Sequence, residues 1–454
     1  MTFISYQLSV ISKKFALFAF LVLSLTAAGF AQEEKKPSIA DQAALVTEFD
    51  VNGLKVLVKR RANAPTVAAG LFIRGGARNL TDKDAGIENL MLNTAEEGSV
   101  KFPRETLRRE LSRTGGEIGS SISNDYSALS LASTRRNFDR SWEIFTDVAL
   151  HPAFAPADIE RARAQIETGL REQETDNDNF LNILQERLIY VNHPYANSVR
   201  GTFESLDKFT ARDLKDYHQK VMQTSKLLLV VVGDIDPKEI QMRVAATFGK
   251  LPRGDYKDAP FPTLDFSKPT LDVTTRQIPT NYVQGVFDAP SLSNPDYYAM
   301  RVAVTILQGR IYQEVRQKRQ LSYAPNAELG SAASNTGNIY VTAVDANQAV
   351  GVMLDEVNNL KTGTVDTETI DGVSGHFLTL YYIDQQSNIA QAGELAKYEL
   401  IGGGWRNAFA FLDKIRDVTP AQVQAVAQKY IKNIRFIVVG DPAKIDRKVF
   451  VPAE

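Results

Sequence analysis

The chain has 454 residues, a formal charge of -2, 44% hydrophobic and 23% charged residues, and no cysteine. That balance excludes a disordered or fibrous chain, and the absence of a long basic run argues against nucleic acid as a partner. Without cysteine there is no disulfide framework and no lipid-modified N-terminal cysteine, and the length predicts a pair of large domains or about three ordinary ones.

From the N-terminus, Lys13 and Lys14 precede an apolar run from Phe15 to Phe30, and Gly29-Phe30-Ala31 offers small residues for cleavage before Gln32. This is the layout of a secretory leader over residues 1–31, the run being short for a spanning helix of ~20 apolar residues. A leader on a cysteine-free chain predicts a periplasmic or secreted bacterial protein. Retention of the leader as an anchor stays open. No later run is long and apolar enough to span a membrane.

Glu48 to Lys59 reads as a hairpin around Asn52-Gly53, both of which tolerate the positive φ of a type I′ turn. Thr66 to Arg74 is the next strand, ended by Gly75-Gly76, and a helix begins near Gly86. Gly115-Gly116-Glu117-Ile118-Gly119-Ser120-Ser121-Ile122-Ser123-Asn124 is a strand of small residues that would let another backbone approach. Glu96 and Glu97 read as solvated acids at a helix end.

Thr210 opens a helix that leads into Leu227 to Val232 and Gly233-Asp234. Thr419-Pro420 opens another that leads into Phe436 to Val439 and Gly440-Asp441. A hydroxyl caps orphan amides, and proline in the first turn loses no bond. Two copies of cap, helix, apolar strand and Gly-Asp predict a duplicated α+β unit. Pro252, Pro260, Pro262 and Pro269 mark residues 250–270 as an extended connector, leaving halves at 41–249 and 271–454 free to move as units. Gly402-Gly403-Gly404 lacks the context of a phosphate loop and reads as a helix-ending turn.

The segment Gly309-Arg310-Ile311-Tyr312-Gln313-Glu314-Val315-Arg316 continues to Leu321-Ser322-Tyr323. A guanidinium and a phenol, both donors, suit the carbonyl oxygen of a peptide or the oxyanion formed from it. His151, His193, His218 and His376 are far apart in sequence, and each reads as structural.

The Arg316/Tyr323 segment resembles the motif in the C-terminal half of the insulinase/pitrilysin-type metallopeptidases. The N-terminal half of that family carries zinc on an inverted His-x-x-Glu-His helix. The matching stretch here is Gly86-Ile87-Glu88-Asn89-Leu90-Met91-Leu92-Asn93. The two imidazole positions are therefore Asn89 and Asn93, and the general-base position is Leu92. The third ligand position falls on Gly169, with Glu167 close enough to shift the register. Neutral amides are poor zinc ligands and leucine accepts no proton, so no metal is expected in this chain.

The resemblance implies two homologous, α/β-sandwich-like halves of antiparallel sheet and helices, clam-shaped and joined by the extended linker. It also implies a peptide added as a strand along Gly116, Glu117, Ile118, Gly119 and Ser120. The function expected from it is that of a zinc-less subunit in a heterodimer, inactive alone, whose zinc-bearing partner hydrolyses unfolded peptide. The competing expectation is a non-catalytic peptide-binding or structural scaffold of the cell envelope.

Overall fold

The computed structural model describes residues 39–451. The expected leader lies outside them. The chain divides into two compact units, 1–44 and 45–454; of the first only the short helix Ile39–Ala43 is described, and all other elements belong to the second. Among the described residues no helix is long and apolar enough to cross a membrane.

The second unit is α+β with two sheets. β1 (Val46–Val51) and β2 (Leu54–Arg60) form the expected hairpin, with Asn52 at φ 55° and Gly53 at φ 86°. β3 (Thr66–Arg74), β4 (Glu117–Ile122), β5 (Tyr126–Thr134) and β6 (Leu227–Gly233) complete a six-stranded sheet in the order β1-β2-β6-β3-β5-β4. β7 (Thr270–Thr275), β8 (Asn281–Asp288), β9 (Asn326–Leu329), β10 (Thr336–Ala343) and β11 (Arg435–Gly440) form the second sheet in the order β7-β11-β8-β10-β9.

Without β1, the first order maps strand for strand onto the second. The parallel pair β2·β6 corresponds to β7·β11, and the remaining pairs are antiparallel in both. Helices Ala211–Val221 and Pro420–Tyr430 enter β6 and β11, each with a reciprocal capping box on Thr210 or Thr419. The duplication read from two helix-strand pairs thus extends to a whole sheet.

Each sheet is covered by a helix from the other half. Helix Asn177–Ile189 packs on β8 and β11, where Leu181 and Ile189 join Val286, Ile437 and Val439 in one apolar cluster. Reciprocally, helix Asn388–Ile401 packs on β3 and β6, and Asn388 Nδ2 donates to Thr66 O at 2.7 Å. This explains why β6 is buried at every position: one face meets its own helices and the other the exchanged one. A strand covered on both sides reads as an unbroken apolar run.

Lys59 lies on the exchanged face of β2, 1% exposed, with Nζ 3.4 Å from Gln385 Oε1 and 5.1 Å from the centre of the Phe409 ring. Burial pulls its ammonium pKa down to about 8, from 10.5. Below pH 8 both folded and unfolded chains carry this charge and its desolvation opposes folding. Between those values the unfolded chain holds more protons, so stability rises with pH. Lys59→Met is expected to remove this contribution and to stabilise the fold near pH 7 by roughly 3 kcal/mol, since each tenfold loss of proton affinity corresponds to about 1.4 kcal/mol. Urea unfolding at pH 7 and pH 9.5 measures both effects; an unchanged pH slope in the variant would refute the assignment.

The connector has no helix or strand between Leu251 and Lys268, but it is not loose. Thr224 N donates to Pro252 O and Ser225 N to Arg253 O, both at 2.9 Å, and Arg78 Nη1 reaches Ala259 O at 2.9 Å. Phe261 stacks on His193 with centroids 5.1 Å apart. Proline spacing predicts the extended form; the bonds that pin it come from residues far away in sequence.

Candidate functional site

Helix Ile87–Ala95 starts after Gly86, whose φ of 79° is left-handed and whose Cα faces Gly201 so closely that a Cβ would lie 2.4 Å from the Gly201 Cα. One turn on, Asn89 donates through Nδ2 to Arg200 O at 3.1 Å. Asn93 Nδ2 donates to Asn89 Oδ1 at 2.8 Å and to Asn89 O at 2.9 Å. The i, i+4 spacing brings the two side chains together, as a metal pair would require. Here it produces a closed amide pair.

Leu92 is 4% exposed and packs in the core, where a carboxylate would be desolvated and could not meet water. Gly169 lies on helix Pro156–Thr175, and a Cβ there would meet nothing within 4 Å. Glu167 is held by Arg171 Nη2 at 3.0 Å. Among the described residues no group of three potential ligands comes together. The residues present do not fit zinc, and Leu92, at the general-base position, cannot take a proton from water.

Asn89→His, Asn93→His and Gly169→Glu combined are expected to take up stoichiometric zinc without gaining peptidase activity, because Leu92 still supplies no base. Titration against a chromophoric chelator reads the uptake. Failure to bind would mean that position 169 does not face the amide pair.

Glu88, beside Asn89, is 3% exposed. Its Oε2 accepts from Tyr217 OH at 2.7 Å, and the Ser127 hydroxyl donates to Oε1. Burial pushes its carboxyl above the usual range, against the pull of these donors. This acid has no signature in the sequence, because a glutamate in the first turn of a helix is ordinarily solvated. Two of the histidines are tied into the fold: His193 Nδ1 accepts from Tyr195 N at 3.1 Å, and His218 Nε2 lies 2.8 Å from Ala149 O.

Arg316 and Tyr323 are brought together. The helix Asp296–Ile311 continues into a π-helical segment, Tyr312–Lys318, of the kind common at functional sites. Leu321 N closes back onto Val315 O at 2.9 Å, and Gln320 adopts φ 55°. Glu314 accepts from Lys318 at 2.5 Å and from Arg319, which fastens the turn.

Arg316 Nη1 donates to Tyr323 O at 3.0 Å, and its guanidinium lies 4.2 Å from the centre of the Tyr323 ring. The guanidinium therefore lies over the ring, with one donor spent on the Tyr323 carbonyl. The ring face attracts the cation and helps hold it in place. Tyr323 is 85% exposed and Tyr312, whose ring centre lies 6.0 Å from the guanidinium, is 43% exposed. Tyr312 is the member of this cluster that spacing alone does not single out.

Among the described residues β4 is an open edge of the first sheet, paired only with β5. Glu117, Ile118, Gly119 and Ser120 lie on it, Gly116 precedes it, and a Cβ at Gly119 would meet nothing within 4 Å. The acids that read as solvated are not. Glu97 is paired with Arg104 and Arg161. Glu96 is part-buried beside Ser120, with Oε1 buried and lacking a hydrogen-bond partner. Helix Asn388–Ile401 ends at Gly402, with Gly403 at φ 77° and Gly404 at φ 114°, a helix-ending turn.

Residues 55–202 match the family model described as Insulinase (Peptidase family M16), and residues 208–373 match the Peptidase M16 inactive domain. The chain belongs to the insulinase family. It is 22% identical over 265 residues to the bovine (Bos taurus) mitochondrial cytochrome b-c1 complex subunit 1, covering 58% of this chain and 55% of that one. With the mitochondrial-processing peptidase subunit beta of Caenorhabditis elegans it shares 23% over 259 residues, 56% of each chain. It thus spans about half the length of these two. It is 24% identical over 291 residues to the non-peptidase homolog YmxG of Helicobacter pylori, covering 62% of this chain and 67% of that one. A solved peptidase M16 inactive domain from Pseudomonas fluorescens superposes with a TM-score of 0.79 at 18% identity, covering 87% of this chain and 98% of that one. Within this family the chain is a non-zinc-binding member, its ligand positions held by the Asn89–Asn93 amide pair.

Proposed function

We propose that the chain is the zinc-less subunit of a two-chain metallopeptidase, exported by its leader to the periplasm or cell exterior. A partner of the same family carries zinc, activates water and polarises the scissile carbonyl. This chain contributes Arg316 and Tyr323 from the opposite wall and receives unfolded peptide along β4. The observation that carries this reading is the contrast between two sites. The ligand and base positions have become an amide pair and a core leucine, while half-buried Arg316, on a fastened π-helical segment, keeps the exposed Tyr323 against its guanidinium.

The division is chemically sufficient, because positioned donors steady an oxyanion and orient substrate without supplying the nucleophile. The test is to isolate the native complex, sequence what co-purifies, and assay each chain alone and mixed against unfolded polypeptide. A His-x-x-Glu-His partner that cleaves only in the mixture supports the proposal; a partner fully active alone refutes it. A second reading, a structural or peptide-holding subunit, draws on the similarity to a cytochrome b-c1 complex subunit and to a non-peptidase homolog. A stable complex that cleaves nothing would select it.

A further inference from the structure

Glu96 follows the helix that carries the amide pair and lies beside the hydroxyl and amide of Ser120. No basic side chain stands within ion-pair distance of it among the described residues. The neighbouring cations are engaged elsewhere, Arg104 and Arg161 with Glu97 and Asp158. A desolvated carboxylate oxygen with no partner disfavours the chain that holds it unless something supplies the counter-charge.

The position of this carboxylate is specific. Along β4, Ile118 and Ile122 pack against the core, and Ser120 shares their face by the two-residue alternation. Glu96 stands on that same face, next to the strand's unpaired edge. A guest strand added to β4 would direct every second side chain to this face, and the one level with Ser120 would stand against Glu96.

We propose that Glu96 sets the specificity of this edge by selecting an extended peptide with a lysine or arginine at that register. The inference rests on the reading of β4 as a peptide-pairing edge. Burial, which holds the Glu96 carboxyl above the ordinary range, agrees with it: a bound cation would return the group to its charged form. Selection is by charge complementarity, with acidic peptides repelled.

The experiment uses the full chain and ten-residue fluorescent peptides identical except for one lysine, norleucine or glutamate, moved along the sequence. At one register the lysine peptide is expected to bind about tenfold or more tighter than the norleucine peptide. Glu96→Gln removes that ratio, and Glu96→Lys turns the preference toward glutamate. A lysine peptide N-methylated at alternate backbone amides should not bind, because it cannot pair as a strand. If Glu96→Gln leaves the ratio intact while N-methylation still abolishes binding, the edge is used and the role of Glu96 is overturned. If N-methylation changes nothing, or no peptide binds, the edge reading falls and this inference with it.

Discussion

Arg316→Ala is expected to lower peptide turnover by the assembled two-chain enzyme ~100- to 1000-fold, the range for losing one positioned oxyanion donor. The effect should fall mainly on kcat, since the donor acts on charge that develops in the transition state. Geometry grades the other substitutions. Tyr323→Phe removes one hydroxyl donor and keeps the ring that lies 4.2 Å from the guanidinium, so it should lose less than Tyr323→Ala, which also removes the stacking surface. Arg316→Lys should resemble alanine, because a single ammonium cannot both hold Tyr323 O and present a flat face of further donors. Steady-state rates of the mixture with each variant settle the order. Equal turnover with Arg316→Ala and with the native chain would end the proposal.

The second large effect concerns stability. Gly86→Ala is expected to destabilise the fold by roughly 3–5 kcal/mol, combining a left-handed backbone penalty with overpacking against another main chain. At φ 79° the new Cβ would meet Gly201 Cα at 2.4 Å and Gly201 N at 2.8 Å. Gly201 is itself at φ 94°, and neither backbone has a flexible side chain that can swing aside. Gly115→Ala supplies the control: it also sits in left-handed space, at φ 63°, but nothing lies within 4 Å. It should lose only ~1–2 kcal/mol. Urea unfolding compares the two, and equal losses would show that the Gly86–Gly201 approach is not tight in solution. The same approach places Arg200 O where Asn89 bonds it, so Gly86 also positions the amide pair.

Local features are legible where local chemistry decides them. Asn52-Gly53 makes a hairpin because both residues accept positive φ, Thr210 and Thr419 cap helices through their own hydroxyls, and prolines keep the connector extended. The degenerate helix and the Arg316–Tyr323 pair are legible through the family resemblance, since amides four residues apart or an Arg and a Tyr seven apart say little alone. The exchanged helices are not: the apolar stripe of Asn177–Ile189 says that it must pack, but not on which sheet. Lys59 and Glu88 escape notice for a related reason. A charge within an apolar strand or in the first turn of a helix looks exposed until a distant element, Gln385 with Phe409 or Tyr217 with Ser127, closes over it. Glu96 reads as solvated for the same reason: β4, more than twenty residues downstream, removes its water.

The crossing of Asn177–Ile189 and Asn388–Ile401 gives the connector an unexpected standing. Severing the chain between Leu251 and Lys268 would yield two fragments, each with a bare hydrophobic sheet whose roof had left with its sibling. Neither piece is a self-sufficient protein, although each holds a whole sheet of its own. What unites them is the trade of helices, and the peptide tether adds proximity to a pair already bound to complete each other.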